Sequence, residues 1–335
     1  MLVETNAGLF CPAGNFHVDP WDPVERALLT HAHGDHARPG SAAYLCTPET
    51  AALLRRRFGP DAPLESMGCG ETRTIGGARV SFHPAGHVLG SAQIRIQGTD
   101  GVWVIGGDYK RAADPTCAPF EPVPCDTFIT ESTFGLPIYR WDHTDAIIAD
   151  VLAWWEGNRQ EEKASVIFCY ALGKAQRLLA EIGRVSERPV FVHGVMLGMM
   201  EAYREAGVGL PDVQPVIERS TRGKNQKRSF AGELVLAPLS ARGTPWMRRL
   251  GAHSDGFASG LMRVRGVRRQ RAYDKGFVIS DHADWPGLLD TIAETGASRV
   301  LATHGHAEVL ARHLTSRGLE SGTIRTAWEG EPSGD

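Results

Sequence analysis

Four side chains that can bind a metal ion follow one short apolar strand within six residues. The strand is predicted over 26–30, and the next six residues read His-Ala-His-Gly-Asp-His. Neutral imidazole and carboxylate groups are ligands that Zn²⁺ and similar cations prefer, and a loop at a strand end can direct several of them inward. The spacing therefore predicts a metal site built from His31, His33, Asp35 and His36. Isolated histidines such as His83 and His193 are expected to be structural instead.

Three further candidate ligands stand beside glycine, at or just past the end of a predicted strand. They are His87, Asp108 and His304. An aspartate at the end of the strand predicted over 102–105 is suited to bridge two cations, because each of its oxygens can bind one of them. A site with two metal ions is therefore expected, with ligands from several strand ends.

Strands and helices interleave along the chain. Short apolar runs bounded by Gly, Pro and Asp predict strands over 14–19, 26–30, 78–83, 92–96, 102–105, 127–130, 165–169, 190–192, 234–237, 276–280 and 299–303. Apolar stripes at helical spacing predict helices over 47–58, 145–157, 173–182, 196–206, 285–295 and 307–316. Thr47 is the expected N-cap of the first helix, because proline follows it at the first helical position.

Length and composition limit the class of protein. A chain of 335 residues exceeds the usual size of one hydrophobic core, so two structural units, or one domain with a large insertion, are expected. No apolar run approaches the roughly 18 residues of a membrane span, and no secretory signal is evident, so we expect a cytoplasmic protein. Six cysteines without CxxC spacing indicate reduced thiols.

Positive charge is concentrated in one segment. Residues 219–275 contain fourteen Lys/Arg and three Asp/Glu, although the whole chain has a net charge of −3. Such a segment suits an anionic partner, although charge runs are more commonly a solvated surface.

These motifs, in this order, resemble those of the metallo-β-lactamase superfamily. Asp19 matches its first motif, Glu131 in Ile-Thr-Glu-Ser-Thr resembles the acidic motif that opens the β-CASP insertion, and His282 in Ser-Asp-His-Ala-Asp resembles the motif that closes it. The β-CASP group comprises nucleic-acid hydrolases. Within it, the stretches 107–111 and 114–122 are most similar to bacterial ligase-associated DNA exonucleases.

The resemblance implies an α/β fold in two domains. An αββα metallo-β-lactamase sandwich is expected from residues 1–139 plus 276–335, and an inserted β-CASP cap domain from residues 140–275.

The resemblance also implies a role for each site residue. Two Zn²⁺ ions are expected, with Mn²⁺ or Mg²⁺ as substitutes for one or both. One ion is assigned to His31, His33 and His87, the other to Asp35, His36 and His304, with Asp108 bridging. Asp19 is expected to orient ligands, and His282, oriented by Glu131, to protonate the leaving oxygen. Candidate phosphate-binding residues are Ser132, Thr133, Lys174, Ser280, Arg268 and Arg269.

The function implied is metal-dependent DNA hydrolysis, most similar to an exonuclease in DNA repair. The expected partners are DNA, single-stranded or at its ends, and a DNA ligase and helicase of a repair pathway. A β-CASP ribonuclease is the main alternative, since RNA-cleaving members have a histidine at the position of His304. A thioester or lactone hydrolase and an inactive nucleic-acid-binding paralogue are less favoured, because the basic segment suits a polymer and every expected ligand type is present.

Overall fold

The computed structural model describes residues 1–216 and 229–325 of the chain. Part of the basic segment, Arg219 to Arg228, lies outside the described residues, as does the side chain of Arg268. The described chain divides into two units. The first unit consists of Met1–Arg140 together with the chain from Asp281 onward, and the second unit consists of Trp141–Ser280.

The elements alternate along the chain as the sequence indicates. The strands are β1 (Val3–Thr5), β2 (Gly8–Cys11), β3 (Phe16–Val18), β4 (Ala27–Leu28), β5 (Tyr44–Cys46), β6 (Leu64–Ser66), β7 (Thr72–Ile75), β8 (Ala78–Pro84), β9 (Ala92–Gly98), β10 (Gly101–Ile105), β11 (Thr127–Glu131), β12 (Ala164–Phe168), β13 (Val190–Val192), β14 (Val213–Pro215), β15 (Leu234–Ala237), β16 (His253–Ala258), β17 (Lys275–Phe277), β18 (Arg299–Thr303) and β19 (Glu320–Thr323). The α-helices are α1 (Pro48–Phe58), α2 (Thr144–Gln160), α3 (Lys174–Gly183), α4 (Leu197–Glu205), α5 (Arg265–Arg271), α6 (Trp285–Thr295) and α7 (Ala307–Ser316). Among the described residues, no helix combines the length and the apolarity that crossing a bilayer would require.

Two sheets pack face to face in the first unit. Strands β1 to β6 form one sheet in chain order, and the other has the order β19-β18-β11-β10-β9-β8-β7. Phe16 and Leu28 from the first sheet belong to the same buried cluster as Ile94, Ile105 and Ile129 from the second. These apolar side chains form the core between the two sheets.

Helices cover the outer faces of this sandwich. In β11 the side chain of Phe128 points away from Ile129, because successive strand residues face opposite sides of a sheet. Phe128 packs in a second cluster with Leu288 of α6 and Leu310 of α7. Helix α1 lies against β6 of the other sheet. The first unit is thus the αββα sandwich that the sequence predicts.

The second unit is built on one parallel sheet. Its six strands have the order β14-β13-β15-β12-β16-β17, and every neighbouring pair is parallel. Apolar clusters lie on both faces, as parallel sheets require, and one of them includes the buried sides of α2, α3 and α4. Strand β17 pairs with β16 in this sheet. The domain limits at 139/140 and 275/276 stay predictions.

Strand prediction failed where the strands are short or polar. The strands that were not predicted include β1, β2, β5, β6, β7, β14 and β19, which are only three or four residues long and mostly lack an apolar run. Strand β16, His-Ser-Asp-Gly-Phe-Ala, has little intrinsic strand propensity, yet it pairs on both sides within the parallel sheet. The predicted helix over 196–206 begins with a short 3-10 turn before Leu197.

The helix caps explain part of the Ser-Asp-His-Ala-Asp motif. The final residue of that motif, Asp284, is the N-cap of α6, and its Oδ1 accepts a hydrogen bond of 3.0 Å from Gly287 N. Thr47 caps α1 in the same way, as predicted, by accepting from Thr50 N.

Replacing Asp284 with Ala should lower the free energy of unfolding by about 1 kcal/mol, because a helix-end N–H loses its acceptor. Asp284→Asn should retain most of the stability, since the amide oxygen can still accept. Urea denaturation of the two variants and the wild type measures the difference. Equal midpoints for Ala and wild type would show that this cap does not contribute.

Candidate metal centre

The His-Ala-His-Gly-Asp-His segment forms a tight turn at the end of β4. Leu29 N donates to Leu45 O, so the strand pairing continues one residue past Leu28. The chain then closes a helical turn in which the carbonyl of His33 accepts from Ala37 N at 2.9 Å. A turn of this kind projects several successive side chains toward one region.

Four ligand atoms converge at the first predicted metal position. Those of His31, His33, His87 and Asp108 all lie within 4.8 Å of one another. His33 Nδ1 is 3.1 Å from His31 Nε2 and 3.0 Å from His87 Nε2. Asp108 Oδ2 is 3.5 Å from His31 Nε2 and 3.7 Å from His87 Nε2. Ligands of a tetrahedral zinc ion are spaced by about 3.3 Å, so the four atoms fit such an ion.

Hydrogen bonds fix the histidine tautomers that a cation needs. His87 Nδ1 lies 2.7 Å from the carbonyl of Asp281, which can only accept, so Nδ1 donates and Nε2 keeps its lone pair. His31 Nδ1 is 3.0 Å from the hydroxyl of Thr30, which already donates to Asp19. Burial lowers the pKa of both imidazoles well below the ordinary value. They are therefore neutral near pH 7, as metal ligands must be.

The second predicted group surrounds His36. Its Nε2 is buried, makes no conventional hydrogen bond to a described residue, and lies 3.5 Å from Asp108 Oδ2 and 3.9 Å from Asp35 Oδ2. The His304 ring stacks on the His36 ring with 5.1 Å between centroids. Burial opposes charge on His36, but the carboxylates of Asp108 and Asp35 raise its pKa well above the usual value. This nitrogen position thus favours a proton or, in its place, a metal cation.

Asp19 connects the strand end to the ligands. Its Oδ1 accepts from Thr30 N at 2.8 Å, and its Oδ2 accepts from Thr30 Oγ1 at 2.6 Å. Oδ2 also lies 2.8 Å from His36 Nδ1, which leaves His36 Nε2 directed at the centre. Asp19 adopts a φ of 43°, uncommon for a residue other than glycine. Gly107 has a φ of 56°, and a Cβ there would meet Thr30 at 2.7 Å, so only glycine allows this close approach.

Glu131 and His282 form a pair beside the same centre. His282 Nδ1 is 2.9 Å from Glu131 Oε2 and 4.0 Å from Asp108 Oδ2. Glu131 is almost fully buried, at 1% exposed, and its Oε1 accepts from Tyr109 N at 2.9 Å. The carboxylate therefore holds the His282 ring with Nε2 facing away from Glu131. Asp108, Glu131 and His282 also lie close enough together to hold a cation.

The predicted phosphate-binding residues are divided between the two units, with two in the first and four in the second. The buried hydroxyl of Ser132 donates to the backbone carbonyls of Thr303 and His304. Thr133, next in the chain, is nearly buried. The others belong to the second unit. Lys174 is buried with its Nζ 4.7 Å from the Tyr170 ring centroid, Ser280 is buried, and Arg269 is exposed on α5.

Two groups that shape the centre were missed by the sequence analysis. Thr30 bonds both Asp19 and His31, and its position directly before His31 was an available signal. The carbonyl of Asp281 accepts from His87 Nδ1. Because every residue has a backbone carbonyl, this role could not be predicted from the sequence.

Known proteins with similar sequences were compared with this chain. It is 30% identical over 328 residues to a probable DNA ligase of Opitutus terrae, a match that covers 96% of this chain and 31% of that protein. It is 33% identical over 168 residues to endoribonuclease ysh1 of Aspergillus fumigatus, covering 46% of this chain and 19% of that protein. It is 26% identical over 215 residues to ribonuclease TTHA0252 of Thermus thermophilus, covering 55% of this chain and 49% of that protein. The chain therefore spans less than half the length of each of these relatives. No protein-family model matches it.

A solved structure shares the fold. A crystal structure of a protein of unknown function from Enterococcus faecalis superposes with a TM-score of 0.59 at 14% identity, covering 91% of this chain and 80% of that one. At this identity the likeness concerns the fold alone.

Replacing Asp19 with Ala should weaken metal binding by about 10- to 100-fold, because His36 loses the acceptor that orients it. Thr30→Val, which removes one of the hydrogen bonds to Asp19, should have a smaller effect. Competition with a chromogenic chelator on purified protein measures both, with circular dichroism to verify folding. A folded Asp19→Ala variant that binds metal like the wild type would exclude this orienting role.

Proposed function

Given that this chain belongs to the β-CASP group of the metallo-β-lactamase superfamily, we propose that it is a dinuclear metal-dependent nuclease that hydrolyses DNA phosphodiesters, acting as an exonuclease in DNA repair. The observation that supports this most is the combination of two features in one unit. A convergent cluster of histidines and carboxylates lies beside a buried Glu–His pair.

The residues assigned to the metal ions are those that the resemblance implies. His31, His33 and His87 would hold one ion, Asp35, His36 and His304 the other, and Asp108 both. Two Zn²⁺ ions held there, or Mn²⁺ or Mg²⁺ in their place, would supply positive charge against the phosphate oxygens and would lower the pKa of a bound water.

His282 is proposed to protonate the leaving oxygen. Glu131 accepts from Nδ1 and stabilises the protonated ring, so Nε2–H is available to donate. After donation the neutral ring keeps its Nδ1 hydrogen bond and its orientation. Asp19 contributes by orienting His36, not by contacting the substrate.

The choice of DNA rests on the relative that matches nearly the whole chain. That protein is named a probable DNA ligase, and the matched part is 31% of it. A nuclease region within a ligase polypeptide would act on the same DNA ends that the ligase joins. We therefore propose that this chain acts on single-stranded or terminal DNA, together with a DNA ligase and a helicase of a repair pathway. The basic segment, including Arg268 and Arg269, would contact phosphates, as would Lys174 and Ser280.

A ribonuclease is the second candidate, because the Aspergillus fumigatus and Thermus thermophilus relatives are named as ribonucleases. Their matches cover only about half of this chain, at 46% and 55%. This is why DNA is preferred.

Incubation of the purified chain with 5′- and 3′-labelled single-stranded DNA and RNA of equal length tests the proposal. Faster degradation of DNA is expected, with mononucleotides released from one labelled end, together with about two metal ions per chain by elemental analysis. Preferential loss of RNA would select the ribonuclease. Degradation of neither polymer by fully loaded protein would overturn the nuclease proposal.

Replacing His282 with Ala should slow cleavage by about 100-fold or more, because the leaving oxygen loses its proton donor, while metal content stays unchanged. Glu131→Gln should slow it less and shift the pH profile, since the ring keeps a hydrogen-bond partner without the negative charge. His306→Ala is the matched control, because this nearby ring stacks on Tyr139 and has no assigned role in the reaction, so the rate should be unaltered. Normal cleavage by His282→Ala would assign His282 to structure.

A further inference from the structure

Two aromatic rings meet at the carboxyl edge of the second unit's parallel sheet. His193 directly follows β13, and its backbone N–H donates to Leu236 O of the neighbouring β15 at 2.9 Å. Trp246 lies in the segment that follows β15. Open parallel sheets bind ligands at this edge, outside the carboxyl ends of the strands.

The ring pair of His193 and Trp246 is held in place yet accessible. The centroids are 4.6 Å apart with 56° between the planes, and both rings are half-buried. His193 Nδ1 accepts from Val195 N at 3.3 Å, which fixes that ring, and the Val195 side chain is 62% exposed. A Cβ added at Gly194 or Gly198 would meet nothing within 4 Å, so the space beside the pair is open.

Two arginines follow Trp246 closely in the chain, and no carboxylate of the described residues pairs with either of them. Arg248 and Arg249 are exposed, and within the described part of the chain neither forms an ion pair. Burial and then the charge of Arg249 lower the pKa of His193, so this arginine is close enough to act on the ring. Several other arginines of the second unit are paired with carboxylates, namely Arg159, Arg184, Arg188, Arg242 and Arg263.

We infer that this surface binds single-stranded nucleic acid, with a base stacked on the His193–Trp246 ring pair and phosphates against Arg248 and Arg249. The inference rests on the proposed function, and it adds a binding subsite in the second unit. Proteins bind single strands by combining aromatic faces with cations, which is the composition found here. Charge favours a nucleic acid over a protein partner, since residues 219–275 contain fourteen Lys/Arg and three Asp/Glu.

The test measures binding of a short fluorescein-labelled oligothymidylate at several salt concentrations, in the His282→Ala background to limit hydrolysis. Trp246→Leu keeps an apolar side chain but removes the ring, so affinity should fall by about 5- to 150-fold, the equivalent of one stacked base. The salt dependence should not change, because no phosphate contact is lost. Trp246→Phe should bind nearly as well as the parent.

The arginine variants test the phosphate contacts. Arg248→Gln with Arg249→Gln should flatten the slope of log affinity against log salt by about 0.7 per lost contact. Arg188→Gln is the matched control, because that arginine is 47% exposed but already paired with Glu156, and it should leave the slope unchanged. Thermal denaturation verifies that each variant is folded.

Several results would overturn the inference. If a folded Trp246→Leu variant binds with the affinity of the parent, base stacking is rejected, and the surface would instead suit a protein partner. The same conclusion follows if Trp246→Leu and Trp246→Phe lose affinity equally. An unchanged slope in the double arginine variant would reject the phosphate contacts. If these results occur while the wild type degrades nucleic acid, the inference fails alone. If the wild type neither binds nor degrades DNA or RNA, the proposed function fails with it.

Discussion

The burial of Asp108 among histidines is the interaction on which the first unit depends. Asp108 is only 5% exposed, and an unpaired carboxylate in such a place would cost several kcal/mol. His31 and His36 each approach one of its oxygens to 3.5 Å, and His87 approaches it to 3.7 Å. These rings come from two segments, one with His31 and His36 and one with His87, both distant from Asp108 in sequence, so the carboxylate is compensated only when the sandwich is folded and its strand ends meet. Folding of the sandwich and formation of the candidate metal centre therefore both involve this residue.

Hydrogen bonds to the ring nitrogens that face away from the centre connect these histidines to the folded chain around them. Asp19, at the end of β3, holds both Thr30 and His36, and the carbonyl of Asp281 holds His87, which is 194 residues away in sequence. The bonds to His36 Nδ1 and His87 Nδ1 leave the Nε2 of each ring directed at the centre. The precision of the centre thus comes from acceptors that bind no metal, and loss of an acceptor misaligns a ligand without removing it.

The sequence identified candidate ligands through a local signal, whereas several of the strands around them were not predicted. Ligand-type side chains next to glycine at strand ends are a local signal, and the residues they identified, from His31 to His304, do gather in one unit. Strand β7, Thr-Arg-Thr-Ile, and strand β16 were missed because their stability comes from neighbours distant in sequence and not from their own composition. The contact that the proposed subsite at His193 uses could not be predicted from the sequence, for a similar reason. Its partner Trp246 is 53 positions away, and only the pairing of β13 with β15 brings the two rings together.

The pairing of β11 with β18 has a consequence for the order of synthesis. Phe128 lies opposite Val300, and the second unit, Trp141–Ser280, is translated between them. A growing chain therefore contains Asp108 and the first histidines well before the strand that closes the sheet and the loop that supplies His304. The continuous second unit can fold during this interval, whereas the first must wait with one edge of β11 open. The full ligand set is therefore present only after the second unit and the loop that carries His304 have been translated.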